Sequence, residues 1–199
     1  MEKIIAIDFD GVISNPYHLK LKYLQEFGYN ISLNQTTYGQ CVKNGIVKEE
    51  HYKIANQRAL AAGPESVFLE RDFIKYYKKL LNLPFDLFII TSRSDSDMDV
   101  LHKILDYHSI KLAGVINTNN HNKYDALCDI SADIFIEDNS FFIMEIIKAI
   151  SLNNNDNNMQ IVFYINEVNV NESINNSSII EVQGWKKLYK YLIRESTIK

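Results

Sequence analysis

Ile4-Ile5-Ala6-Ile7-Asp8-Phe9-Asp10-Gly11-Val12-Ile13-Ser14 is an apolar run that ends in two carboxylates and a glycine. Ile4 to Asp8 has the length and β-branched content of a buried strand. Side chains alternate faces along an extended chain, so Asp8 and Asp10 point the same way if the strand continues through both. Two carboxylates then crowd one site beyond the carboxyl end of a strand, which is where open α/β sheets place ligands. A hard divalent cation with oxygen ligands relieves such crowding, and magnesium favours a few carboxylates together with water and phosphate oxygens. Gly11 allows a sharp turn and a close backbone approach to a ligand. The same residues would also serve as a helix cap and a turn after an ordinary strand.

This stretch resembles the first motif of the haloacid dehalogenase superfamily, an apolar strand ending in Asp-x-Asp-Gly-Thr or Asp-x-Asp-Gly-Val, here Asp8-Phe9-Asp10-Gly11-Val12. Three further segments follow in that family's order. Asp86-Leu87-Phe88-Ile89-Ile90-Thr91-Ser92 is an apolar run that closes on a hydroxyl able to donate to a phosphoryl oxygen, with Thr91 as the match. Lys123 opens Lys123-Tyr124-Asp125-Ala126-Leu127-Cys128-Asp129 shortly before the next strand-like run. Its ammonium would act as a point charge beside carboxylates and phosphate. Lys103 and Lys111 are rivals, but both precede the strand-like Ala113 to Asn117, so chain order favours Lys123. Asp133-Ile134-Phe135-Ile136-Glu137-Asp138-Asn139 ends a last apolar run in paired acids, which need a charge partner if buried. Many relatives have Asp-Asp where this chain has Glu137-Asp138.

The resemblance implies an α/β fold: a doubly wound, mostly parallel Rossmann-like sheet with a small α-helical cap. It also implies phosphomonoester hydrolysis through an aspartyl-phosphate. Asp8 would be the nucleophile, and Asp10 the acid for the leaving alkoxide and then the base for water. Mg2+ would be held by Asp8, the backbone carbonyl of Asp10, and Asp138, with Thr91 and Lys123 on the remaining phosphoryl oxygens. Glu137 would act through water or by holding Lys123. Dehalogenating members need the nucleophile but not the acid two residues on, so Asp10 argues for phosphoryl chemistry. Thr91-Ser92-Arg93 and Ile136-Glu137-Asp138, in a short chain with an inserted cap, look similar to the smaller 5'-nucleotidase-like phosphatases. A nucleoside monophosphate is therefore the first expectation for substrate, and a sugar phosphate or other small metabolite the second. A non-catalytic phosphate-binding or regulatory relative is a third reading, from a different class. Ser92 and Arg93 are candidate substrate contacts; Arg93 would reach a second anionic group or a base, or else stand exposed at a helix start.

Periodicity agrees with that fold. Strand-like runs at Ile4 to Asp8, Leu87 to Thr91, Ala113 to Asn117, Ile134 to Glu137, Ile161 to Ile165 and Ser178 to Val182 alternate with helical patterns. Asp95 to His108 carries Met98, Leu101, Ile104, Leu105 and His108 at helical spacing, with acids crowding its first turn. Ser140 is read as the cap of the next helix, and Trp185 to Arg194 as a last amphipathic helix with Trp185 in the core. Residues 1–13 and 85–199 are assigned to the catalytic core. Residues 14–84 contain no convincing strand but do contain helical patterns at Pro16 to Phe27, Ser32 to Asn44 and Lys48 to Ala62, then Phe73 to Leu81, which should rejoin the core. This insertion would be the cap, and Tyr17, Tyr38, Gln40 and Arg58 are its candidate contacts. The polar run Asn153 to Asn158 reads as an exposed loop, and the later Asn166, Asn169, Asn171, Asn175 and Asn176 as compositional drift.

Composition bounds the function further. A chain of 199 residues accommodates one sizeable core and a small accessory unit. A net charge of −4 offers no basic footprint for nucleic acid, so the expected partner is a small phosphorylated metabolite. Cys41 and Cys128 form no metal-ligand pattern, and no apolar run has the length of a membrane span. With Met1-Glu2-Lys3 leading directly into the first strand, a cytoplasmic protein is expected. Oligomeric state is not legible.

Overall fold

The computed structural model describes residues 2–119, 121–153 and 158–197. In chain order they form β1 (Lys3–Ile7), β2 (Ser14–Asn15), α1 (Tyr17–Glu26), α2 (Tyr38–Cys41), α3 (Glu49–Leu60), β3 (Phe68–Leu69), α4 (Phe73–Leu80), β4 (Phe85–Thr91), α5 (Asp95–Tyr107), β5 (Gly114–Asn117), α6 (Lys123–Asp129), β6 (Ile134–Glu137), α7 (Ser140–Leu152), β7 (Gln160–Ile165), β8 (Ile179–Gln183) and α8 (Gly184–Thr197). Six strands make one sheet in the order β5-β4-β1-β6-β7-β8, every pairing parallel. The chain winds from β1 outward to β5, then crosses back to β6 on the other side of β1. That reversal places a topological switch point at the carboxyl end of β1.

Alternation along the strands divides the core into two layers. Ile5, Ile7, Leu87, Ile89, Ile134, Ile136, Val162 and Tyr164 face one way and pack against α4, α5 and α8. Ala6, Ile90, Phe135, Ile161 and Phe163 face the other way and meet α6 and α7. Both faces are therefore covered, as an all-parallel sheet requires. Trp185 lies in the first layer: its ring meets Phe73 edge-on at 4.9 Å and its indole N–H donates to the Val12 carbonyl at 2.7 Å. The last helix thus anchors the loop that follows Asp10, and the reading of Trp185 as core holds.

The insertion between β1 and β4 departs from its sequence pattern in two places. Ser32 to Asn44 is not one helix but a 3-10 turn at Leu33–Gln35 and the four-residue α2. Ser32 and Gln35 form a capping box that closes the first turn, and Thr37 starts the second by accepting from the Gln40 N–H. Gly39 adds a weak helix former in the middle, so local capping defeats the longer periodicity. The insertion also contains strand: β2 pairs antiparallel with β3, Ser14 opposite Leu69 and Asn15 opposite Phe68. Two-residue strands are too short to show alternation. The other helices of the insertion lie within a residue or two of the expected bounds. Leu24, Ile31, Cys41, Val47, Tyr52 and Ala55 give α1 to α3 a hydrophobic cluster of their own. By contrast α4 buries Phe73, Tyr76, Tyr77 and Leu80 in the main core, rejoining it as its pattern implied. At α7 the cap is Asn139 rather than Ser140: the Asn139 side chain accepts from the Phe141 N–H at 3.0 Å, while the Ser140 hydroxyl donates to Glu172. Residues 154–157, the centre of the expected Asn-rich loop, lie outside the described residues; Asn153 and Asn158 at its ends are exposed.

Candidate active site

Four chain segments end at the switch point. β1 delivers Asp8, β4 delivers Thr91, β6 delivers Glu137 and Asp138, and the first residue of α6 is Lys123. The Asn122 side chain caps α6 by accepting from the Tyr124 N–H, which sets where Lys123 begins its climb to the site. The Lys123 ammonium donates to Asp8 Oδ1 at 2.6 Å and to Glu137 Oε2 at 2.7 Å, with all three groups buried. The rival lysines Lys103 and Lys111 are exposed. Thr91 is buried and lines the same cavity, as does the half-buried Ser92.

Asp8, Glu137 and Asp138 each offer a carboxylate oxygen, and these oxygens lie within 4.8 Å of one another. Burial, followed by repulsion from Glu137, pushes the Asp8 carboxyl up to about 8 against the pull of Lys123. Burial and the charges of Glu137 and Asp8 likewise raise Asp138 well above the ordinary carboxylate range. Burial works to lower Lys123, but the charges of Asp8 and Glu137 outweigh it and hold the ammonium above its usual value. One ammonium thus bridges two of three crowded acids. An all-oxygen donor set of this charge fits a hard divalent cation such as magnesium. The side chains in this cluster are Asp8, Glu137 and Asp138; the Asp10 side chain lies elsewhere.

Asp10 forms a bidentate pair with Arg93, Nε to Oδ2 and Nη2 to Oδ1 both at 2.8 Å, and accepts from the Ser14 hydroxyl at 2.8 Å. Burial alone would raise its carboxyl, but the Arg93 charge and these hydrogen bonds bring it below the usual value. Arg93 is buried rather than exposed at a helix start, and its remaining terminal nitrogen donates to the Leu60 carbonyl at 3.4 Å.

Asp138 is fixed from three sides. Its Oδ2 accepts from the Tyr17 hydroxyl at 2.8 Å and from the Asn166 side chain at 2.9 Å, and its carbonyl accepts from the Asn169 side chain at 2.7 Å. Asn166 also donates to the Gly11 carbonyl at 2.9 Å, tying the β1 loop to the β6 loop. Gly11 has φ +95°, and a Cβ there would lie 2.0 Å from Asp138 Oδ2. Gly11 was expected to let the backbone approach a ligand; the group it approaches in the structure is a site carboxylate. Asn166 and Asn169, both buried, were read as compositional drift; they instead brace the site. Their position immediately after β7, at the carboxyl edge of the sheet, is the signal that marks them.

Asp8, Asp10, Thr91, Arg93, Glu137 and Asp138 floor a cavity of about 570 Å³, with Lys123 behind Asp8 and Glu137. Its roof comes from the insertion and includes Tyr17, Lys20, Tyr38, Tyr52, Asn56 and Leu60. Of the expected insertion contacts, Tyr17 and Tyr38 line it. Arg58 instead pairs with Glu26 at 2.8 Å and stacks on Tyr23, and Gln40 stands outside the cavity lining.

No protein-family model and no curated relative matches the chain. Solved structures do. A predicted phosphatase from Clostridium acetobutylicum superposes with TM-score 0.62 at 15% identity, covering 98% of this chain and 99% of the other. A hydrolase from Pseudomonas syringae gives 0.62 at 10% identity over 98% and 100% of the two chains. A beta-phosphoglucomutase from Clostridium difficile gives 0.55 at 16% over 98% and 97%. Other structural neighbours are described as HAD-superfamily hydrolases. At these identities the likeness establishes the fold, an α/β Rossmann-like fold of the HAD type.

Proposed function

We propose that this protein is a magnesium-dependent phosphomonoester hydrolase working through an aspartyl-phosphate on Asp8. The observation that carries the reading is the buried Asp8-Lys123-Glu137-Asp138 cluster at the ends of β1 and β6, with Asp10 two residues beyond the nucleophile. The structural neighbours, hydrolases and a predicted phosphatase among them, support it.

Bound magnesium supplies charge neutralisation for the transferring group, held by Asp8, Asp138 and the Asp10 carbonyl, with Glu137 beside them. The protein's own groups do the rest. The Asp8 carboxylate attacks phosphorus, and the bond to the leaving oxygen breaks as Asp10 delivers a proton to it. Water then attacks the phosphoryl group, Asp10 takes its proton, and the Asp8 carboxylate is released with inorganic phosphate. Lys123 and Thr91 meet the phosphoryl oxygens, where charge develops. In the arrangement described, Arg93 holds Asp10 as the carboxylate, the form that serves as base. Delivering the first proton requires that bidentate contact to loosen when substrate enters.

The insertion acts as a cap over residues 1–13 and 85–199, excluding water from the intermediate. The tyrosine rings lining the cavity favour a planar leaving group, which supports a nucleoside monophosphate as substrate. A sugar phosphate is the second reading, supported by the neighbour named beta-phosphoglucomutase. Among the described residues no helix is long and apolar enough to cross a membrane, in keeping with a small soluble substrate.

Phosphate release from a panel of nucleoside monophosphates and sugar phosphates, with magnesium, with chelator and with Asp8→Asn, tests the proposal. Release that depends on magnesium and is lost in Asp8→Asn is expected. Absence of release from every compound would instead favour a non-catalytic phosphate-binding protein.

A further inference from the structure

Among the described residues three cations are buried, Lys20, Arg93 and Lys123. Two are matched to acids: Arg93 to Asp10, and Lys123 to Asp8 and Glu137. Lys20, only 5% exposed, has no carboxylate within ion-pair distance among the described residues. Its ammonium instead donates to the Tyr52 hydroxyl at 3.3 Å and lies 5.0 Å from the Tyr17 ring centre and 5.3 Å from that of Tyr52. A buried ammonium without a counter-charge is costly, and ring faces recover only part of that cost. The Tyr52 hydroxyl occupies one of its three N–H donors.

The location of Lys20 narrows its purpose. It stands in the roof wall of the cavity, one helical turn after Tyr17, whose hydroxyl touches Asp138. Lys123 already occupies the phosphoryl side of the floor, and Asp10 is fully engaged by Arg93 and Ser14. Lys20 lines the same cavity as these acids, but from the insertion that roofs it. On the phosphatase reading, the part of the substrate beyond the phosphoryl group would meet this roof wall, where the ammonium stands.

We propose that Lys20 is the residue through which the cap selects substrate, pairing with a second anionic group, carboxylate or phosphate, carried on the leaving-group side of the scissile phosphomonoester. This inference rests on the phosphatase reading above and narrows its substrate class. A substrate with that anion completes the unmatched charge in a water-poor wall, so the preference is expressed in binding. The Tyr52 hydroxyl shares the anion as a second donor.

The test compares matched pairs under magnesium: 3-phosphoglycerate against glycerol 3-phosphate for a carboxylate, and adenosine 3',5'-bisphosphate against AMP for a phosphate. p-Nitrophenyl phosphate serves as the substrate without a second anion. The wild type is expected to favour the doubly anionic member of at least one pair by about tenfold or more in kcat/KM, and Lys20→Met to erase that preference through KM. Lys20→Arg should retain part of it, and p-nitrophenyl phosphate should change by no more than about twofold. No preference in either pair, or an equal loss on p-nitrophenyl phosphate, overturns the proposal. Thermal melts of both Lys20 variants separate misfolding from lost recognition. Absence of turnover on p-nitrophenyl phosphate would count against the phosphatase reading instead. Calorimetric titration of the same four compounds into wild type and Lys20→Met then decides the anion site by itself: a Kd gap between pair members that Lys20→Met closes supports it, and no gap overturns it.

Discussion

The floor and the roof of the cavity treat charge in opposite ways. On the floor, Lys123 bridges Asp8 and Glu137, and Arg93 grips Asp10 with two hydrogen bonds. These groups stand at the ends of parallel strands whose ladders fix their positions to the register, Ile7 beside both Ile89 and Ile136. In the roof, Lys20 is packed against tyrosine rings with no acid paired to it among the described residues, on helices whose hydrophobic cluster is separate from the main core. The difference teaches that the two halves answer different questions. Under the proposed function, a floor with matched charges would serve one reaction whatever the leaving group, whereas a roof with an unmatched charge would wait for a particular one.

The largest test of that division is on the floor. Lys123→Met removes the ammonium that bridges two of the three buried acids, and is expected to lower activity by about a hundredfold to a thousandfold on every substrate. It should also cost on the order of 3–5 kcal/mol of stability in urea unfolding without magnesium, because the remaining charges are left uncompensated. An effect confined to one substrate class would break the comparison. Gly11→Ala is expected to come next. The new Cβ would overlap Asp138 Oδ2, and the backbone sits at φ +95°. Displacing that carboxylate by about an ångström predicts a loss of roughly a hundredfold in kcat with the fold retained by circular dichroism.

The floor was the legible half because its residues obey rules local in sequence. Apolar runs end in acids or a hydroxyl, Asp8 and Asp10 are two apart, and Lys123 opens the helix before β6, so the resemblance to a family's motifs, taken in chain order, placed them. The sheet was legible for the same reason, since strands buried on both faces read as continuous apolar runs. The roof obeys no such rule. Lys20 sits in Tyr17-His18-Leu19-Lys20-Leu21-Lys22, where nothing separates it from the neighbouring lysine, and its burial depends on how α3 crosses α1 to bring Tyr52 against it. The helix expected over Ser32 to Asn44 gave way to two side-chain caps, and β2 and β3 were too short to alternate. Asn166 and Asn169 were hidden by an asparagine-rich background, although one places its amide on Asp138 Oδ2 and the other on the Asp138 carbonyl.

That bracing sharpens the comparison by a smaller step. Asn166→Ala leaves every acid of the floor in place but removes one of the two donors to Asp138 Oδ2, leaving the Tyr17 hydroxyl, and orphans the Gly11 carbonyl. Magnesium affinity, read by calorimetry or by the metal dependence of turnover, is expected to fall about 10–100-fold. Stability should drop by about 1–3 kcal/mol. If metal affinity is untouched while stability falls, the asparagine is a loop brace and the floor is held by its strands alone.

The smallest expected effect lies at the joint between the halves, where Ser14–Asn15 pairs with Phe68–Leu69 and Glu70 follows. Glu70 is buried with Oε1 unpartnered among the described residues, while Oε2 accepts weakly from the Tyr164 hydroxyl at 3.4 Å. Glu167 lies close by, bonded to Asn15 and His18. Burial, then repulsion from Glu167, pushes the Glu70 carboxyl from 4.5 up to about 7, against weaker pulls from Tyr164, the Arg71 backbone and Asn15. A carboxyl raised on folding binds more protons in the native than in the unfolded chain between those two values, so its contribution to stability declines as pH rises through that window. Glu70→Gln keeps the shape and removes the titration. Unfolding in urea at about pH 5 and about pH 8 should show the variant gaining on the wild type by on the order of 1–2 kcal/mol between the two. A difference that does not change with pH would mean that the joint carries no buried charge, leaving Lys20 as the one unmatched buried charge of the insertion among the described residues.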